Sequence, residues 1–144
     1  MKKEEFDKYL VDRYEDQLAW YDKKAIWNHK IYQRFQWIAI ILSAITPVLV
    51  IAGEGWTRWL AVFVAVVVAI CIAALKTFSY QDNWISYRTT CETLKKEKHF
   101  YKANIQGYEK VENKEALFVE QVESLISREN TLWLVKHKRD ERSY

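Results

Sequence analysis

The side chains able to do chemistry are few and scattered. His29, His99 and His137 stand far apart, and no H-E-x-x-H or C-x-x-C spacing gathers ligands for a metal. Cys71, inside an apolar run, and Cys91 make no disulfide framework and are expected to be reduced. There is no G-x-S-x-G elbow, and three glycines are too few for a phosphate-cradling loop. Carboxylates are plentiful but sit among basic neighbours at helical spacings, as Glu92 does with Lys96, while Asp12 and Asp16 make a like-charge pair. Solvated charge accounts for them without a general acid or base. The expectation is therefore no enzyme, no metal and no cofactor. A net charge of only +3, with bases and acids interspersed, also argues against a nucleic-acid partner.

Polar residues inside an apolar run are the more informative ones, because hydrocarbon does not solvate them. From Phe35 to Leu75 the only charged side chains are Glu54 and Arg58. Within that run Ala39, Ser43, Thr46 and Val50 recur at steps of four, three and four, so they share one narrow helix face. Pro47 stands beside them and, lacking an N–H, releases the carbonyl of Ser43 from its intrahelical bond. Two hydroxyls, a freed carbonyl and small side chains could line a path for water or ions once several copies assemble. The same residues also suit a plainer role, with hydroxyls bonded back to their own helix and small side chains packing helices closely. Glu54 and Arg58, four apart, are either an exposed ion pair or the mouth of such a pore. Ala61, Ala65, Ala69 and Ala73 form a small-residue seam, facing either the first span or another copy.

The elements that must hold these residues follow from apolar length. About 20 apolar residues cross a hydrocarbon core of roughly 30 Å. Residues 35–53 and 59–75 meet that requirement, with 54–58 as a short external turn whose Gly53 and Gly55 tolerate positive φ. No short apolar core occurs in the first 30 residues, so a cleavable signal peptide is not expected. Lys23, Lys24, Lys30 and Arg34 precede the first span, and Lys76, Arg88, Lys95 and Lys96 follow the second, which places both termini in the cytoplasm.

The polar remainder reads as a helical bundle. Phe6, Leu10, Tyr14 (or Arg13), Gln17 and Tyr21 mark an amphipathic helix over 1–34. A continuation helix over 76–106 carries Tyr80, Trp84, Tyr87, Cys91 and Leu94 at coiled-coil steps, a candidate cytoplasmic assembly seam between copies. Asn113 is the expected N-cap of a third, antiparallel helix over 113–136, with Phe118, Val122 and Leu125 on its apolar face. Residues 137–144 form a basic tail, and Lys136, Lys138 and Arg139 either contact lipid headgroups or are simply solvated. The fold class is thus an all-α membrane protein, a two-helix transmembrane hairpin continuing into a long-helix cytoplasmic bundle.

Several runs in this layout resemble the SLATT-type group of bacterial two-span membrane proteins. Gln17, Trp20 and Tyr21 stand where that group tends to have Q-x-x-W-Y. Tyr32 to Gln36 resembles its approach to the first span, and Trp84, Tyr87, Arg88, Glu92, Leu94 and Lys95 its W-x-x-Y-R-x-x-x-E-x-L-K run. Tyr101, Tyr108, Val122, Glu123 and Trp133 continue the likeness. The resemblance implies a pore-forming or membrane-perturbing effector of bacterial defence systems, linked to nucleotide signalling, with no catalytic residues to carry over. The functional expectation is a homo-oligomeric ion channel or pore in a bacterial inner membrane, assembled or gated by its cytoplasmic helices. Its partners are the lipid bilayer, other copies of itself, ions in the pore, and a separate sensor protein or nucleotide ligand. The alternative is a non-conducting membrane-anchored helical scaffold that recruits cytoplasmic partners.

Overall fold

The computed structural model describes residues 2–51 and 55–141, with side chains through residue 131. Its elements are α1 (Lys3–Tyr9), a π-helical segment (Leu10–Glu15), α2 (Asp16–Ile51), α3 (Trp56–Thr77), α4 (Tyr80–Ala103), a 3-10 turn (Tyr108–Lys110) and α5 (Lys114–Glu141). No strand occurs among the described residues. The chain divides into two compact units, Met1–Lys23 with Tyr87–Tyr144, and Lys24–Ser86.

The first unit is a three-helix bundle built on aromatic rings. Phe6, Tyr14, Tyr21, Cys91, Leu94, Tyr108, Phe118, Val122 and Ile126 make its buried core. Phe118 lies at the centre, with ring centroids 5.8 Å from Phe6, 5.5 Å from Tyr14 and 5.2 Å from Tyr101. The π-helical segment explains how Phe6 and Tyr14 both reach that core. Eight residues at about 100° each would leave Tyr14 about 80° around the helix from Phe6. A π segment turns less per residue and brings the two back to one face. The sequence pattern, which wavered between Arg13 and Tyr14, carries the mark of this extra residue.

Helix ends follow local chemistry. The carboxamide of Asn113 accepts the N–H of Ala116 at 3.1 Å, as the N-cap of α5. α4 stops at Ala103 rather than near Gly107, because Asn104 takes the left-handed conformation (φ 56°). The N–H of Ile105 then donates to the Phe100 carbonyl and that of Asn104 to Tyr101, a Schellman closure. α5 continues to Glu141, through the segment expected to be a tail.

The second unit is a helical hairpin. α3 and α4 are separate helices where one continuous helix was expected, because the chain breaks at Phe78 and Ser79, the latter at φ 47°. Asn83 stabilises the break: its side-chain amide donates to the Phe78 carbonyl at 3.2 Å and its N–H to the Ser79 carbonyl at 3.0 Å. Along the hairpin the more covered positions include Phe35, Ala39, Leu42, Thr46 and Leu49 on α2, and Ala61, Val64, Val68 and Cys71 on α3, with Gln36, Val67, Ala74 and Leu75 beside them. Both series step by three and four, the rhythm of two helices packed at a shallow angle. Both helices are long and apolar enough to cross a membrane, and only 6% and 11% of their most apolar stretches is buried.

Candidate functional site

Pro47 lies inside α2 and leaves the Ser43 carbonyl without its helical donor. Beside it runs an open groove of about 530 Å³, lined by Ser43, Thr46, Pro47, Val50, Ile51, Ala65 and Val68. The groove gathers four of the five pore-lining candidates, but their environments differ. Ser43, Pro47 and Val50 are exposed. Ala39, only 7% exposed, is packed inside the hairpin and faces no lumen of its own chain. Thr46 is half-buried and donates its hydroxyl to the Leu42 carbonyl at 2.8 Å, the back-bonded arrangement.

Only one of the four seam alanines serves the hairpin. Ala61 is 3% exposed, whereas Ala65, Ala69 and Ala73 are exposed. The geometric reason is that a step of four residues advances about 400°, so each successive alanine drifts about 40° around the helix. A partner helix stays over a mean step of 3.5, which selects Ala61, Val64, Val68 and Cys71. At the far end Arg58 is exposed, while Glu54 lies outside the described residues.

The expected assembly seam is largely consumed within the chain. Cys91 and Leu94 have 0% exposure in the bundle core, and Tyr87 packs against it. A face of this periodicity must be covered by some helix, and α2 and α5 of the same chain supply the cover. Tyr80 and Trp84 belong to the hairpin unit, where Tyr80 meets Trp27 and Phe78, and Trp84 meets His29 at 4.7 Å between centroids. The side chains of Lys136, Lys138 and Arg139 lie outside the described residues, on the last turns of α5.

A set of tyrosine–carboxylate bonds holds the bundle helices in register, and the apolar periodicity did not reveal it. The Tyr9 hydroxyl and the Arg13 guanidinium both donate to Glu123, the latter through two nitrogens at 3.1 and 3.2 Å. Tyr21 donates to Glu129, Tyr101 to Glu115 and Tyr108 to Glu97. Tyr14 donates to the Leu94 carbonyl at 2.9 Å. Burial pushes the Tyr14 hydroxyl up to about 12, and raises Tyr9 and Tyr21 as well, so these phenols stay protonated donors. The Arg13 guanidinium holds Glu123 below the usual carboxylate range, while burial raises Glu129. Burial also raises the Cys91 thiol, which keeps it protonated and unreactive. The available signal in the sequence was chemical: a tyrosine on a buried face must find an acceptor.

Residues 16–116 match the family described as Protein of unknown function (DUF4231). The chain belongs to this family. Its matched region runs from the first residue of α2 into the first turn of α5, so it contains both apolar helices, the Pro47 groove and all of α4. No curated protein and no solved structure matches the chain.

Proposed function

We propose that this member of the DUF4231 family is a homo-oligomeric pore-forming protein or ion channel of a bacterial inner membrane. Both termini lie in the cytoplasm, and the bundle drives assembly or gating in response to a separate sensor protein or a nucleotide ligand. The observation that carries the reading is the exposure of the hairpin. The most apolar stretches of its helices are 6% and 11% buried, far too little for core helices of a soluble globule. A bilayer supplies the missing cover, and Lys30, Arg34 and Lys76 at one end of the hairpin favour the cytoplasmic side for that end. Two helices cannot enclose an aqueous path, so conduction requires several copies. The exposed Ser43, the carbonyl released by Pro47, and Val50 are the wall this reading assigns. The likeness to SLATT-type effectors points the same way.

One observation favours a non-conducting scaffold instead: the Thr46 hydroxyl is already satisfied by Leu42, so it offers little to an ion. Current across a planar bilayer separates the two readings, with Ser43→Leu as the variant, because Ser43 is exposed and its replacement disturbs no packing within the chain. The pore reading expects discrete openings in the wild type that Ser43→Leu abolishes or alters. Openings that Ser43→Leu leaves unchanged would remove this face from the wall. A chain that stays monomeric in mild detergent and in lipid would overturn the pore in favour of the scaffold.

A further inference from the structure

The excess positive charge of the chain is concentrated in one unit. Residues 24–86 carry five of the 22 basic side chains (Lys24, Lys30, Arg34, Arg58 and Lys76) and two of the 19 acidic ones (Glu54 and Asp82). That balance of +3 equals the net charge of the whole chain, so the remainder is neutral. In the bundle unit, four of the basic groups have carboxylate partners: Arg13 with Glu123, Arg88 with Asp22, Lys95 with Glu92, and Lys98 with Glu15. At the hairpin end Lys30, Arg34 and Lys76 are exposed, and none of them has an acidic partner among the described residues.

These three cations stand between the apolar stretches and a set of aromatic rings. Lys30 and Arg34 are one turn apart on the same face of α2, just before its apolar stretch. Lys76 stands in the last turn of α3, before the break at Phe78 and Ser79. Tyr80 joins Trp27 at 6.5 Å and Phe78 at 5.6 Å between centroids, and Trp27 and Phe78 are 54% and 58% exposed. Unpaired cations at the end of two uncovered apolar helices match the headgroup level of a bilayer surface, where basic side chains meet lipid phosphates.

We propose that this collar binds anionic phospholipid headgroups, with Lys30, Arg34 and Lys76 taking the phosphates. The inference rests on the membrane embedding proposed above. Charge complementarity selects the lipid class: a zwitterionic headgroup carries its own ammonium, whereas phosphatidylglycerol leaves its phosphate for the protein. Arg34 suits a phosphate through its planar fork of donors. Each basic group near an anionic surface strengthens binding roughly fivefold, so the three together give a preference on the order of 100-fold.

The test uses the full chain in mild detergent, offered equal amounts of phosphatidylglycerol and phosphatidylcholine, with retained lipid read by native mass spectrometry. Phosphatidylglycerol should be retained selectively and released as ionic strength rises. The preference should vanish in Lys30→Gln/Arg34→Gln/Lys76→Gln and persist in Lys96→Gln/Lys102→Gln on the bundle. The single variant Lys76→Gln, in the solvent-exposed last turn of α3, should weaken the preference roughly fivefold and guards against misfolding of the triple variant. Equal retention of the two lipids, or selectivity undiminished in all the collar variants, overturns the proposal. Displacement by inorganic phosphate at lipid concentrations would mean a site for the free anion and overturns it too. Carbonate extraction of expressing membranes separates the two failures. Release of the chain refutes the embedding, whereas firm retention without lipid selectivity refutes the collar alone.

Discussion

Leu94→Ala distinguishes a core of the chain from a contact between copies. Leu94 has 0% exposure, and its carbonyl, which the substitution leaves in place, accepts the Tyr14 hydroxyl. Removing three buried carbons costs about 2.4 kcal/mol at ~0.8 kcal/mol each. The cavity left among neighbours such as Tyr14 and Phe118 raises this to about 3–4 kcal/mol, within the range for buried leucines. With a urea dependence of about 1.5–2 kcal/mol per molar, the midpoint of bundle unfolding should fall by about 2 M. The assay is a urea titration of the detergent-solubilised chain, followed by the near-UV signal of the buried tyrosines and repeated over a tenfold range of protein-to-detergent ratio. A residue inside its own chain gives a midpoint independent of that ratio, whereas one buried between copies gives a midpoint that climbs with it. A loss below about 1 kcal/mol, or a concentration-dependent midpoint, would refute the placement of Leu94 in an intrachain core.

Three further outcomes are expected from the bundle and the break. A double-mutant cycle on Arg13→Ala and Glu123→Gln should give a coupling of about 0.5–1 kcal/mol at neutral pH, because the pair is bidentate but 47% and 40% exposed. Glu123 is held below its unfolded value, so that coupling should be complete above the ordinary carboxylate range and fade as the pH falls through its folded value. Glu129 has the opposite sign: its folded value is raised, the folded state binds the extra proton, and stability should decline as the pH rises from the ordinary carboxylate value through the raised one. Glu129→Gln keeps an acceptor for Tyr21 and should flatten that decline, measured as the unfolding midpoint between pH 4 and 7. At the α3–α4 break, Ser79→Gly should be neutral or stabilising by up to about 1 kcal/mol, whereas Ser79→Val should destabilise, since φ 47° suits glycine and not a β-branched residue; thermal melts of the two variants compare them.

The local elements were legible because local chemistry sets them. Asn113 caps α5 as its side chain predicts, and the apolar runs lie in α2 and α3. The end of α4 was less legible: Asn104, Gln106 and Gly107 all take positive φ, and the first of them already ends the helix. The tyrosine–carboxylate bonds escaped the pattern because Glu97, Glu115, Glu123 and Glu129 look like surface charges until a second helix brings a phenol to each.

Helicity, two helices apolar enough for a membrane, and a positive excess beside them can all be read from the order of residues. Periodicity, span length and composition are properties of one helix at a time, so one chain suffices to read them. What each apolar face meets is set by the packing of helices on one another. Cys91 and Leu94 were spent on the chain's own α2 and α5, Ala61 was kept in the hairpin, and Ala65, Ala69 and Ala73 were left uncovered. A stripe states that a helix needs a partner. Crossing angle and register decide which residues lie beneath that partner, and those depend on both helices together.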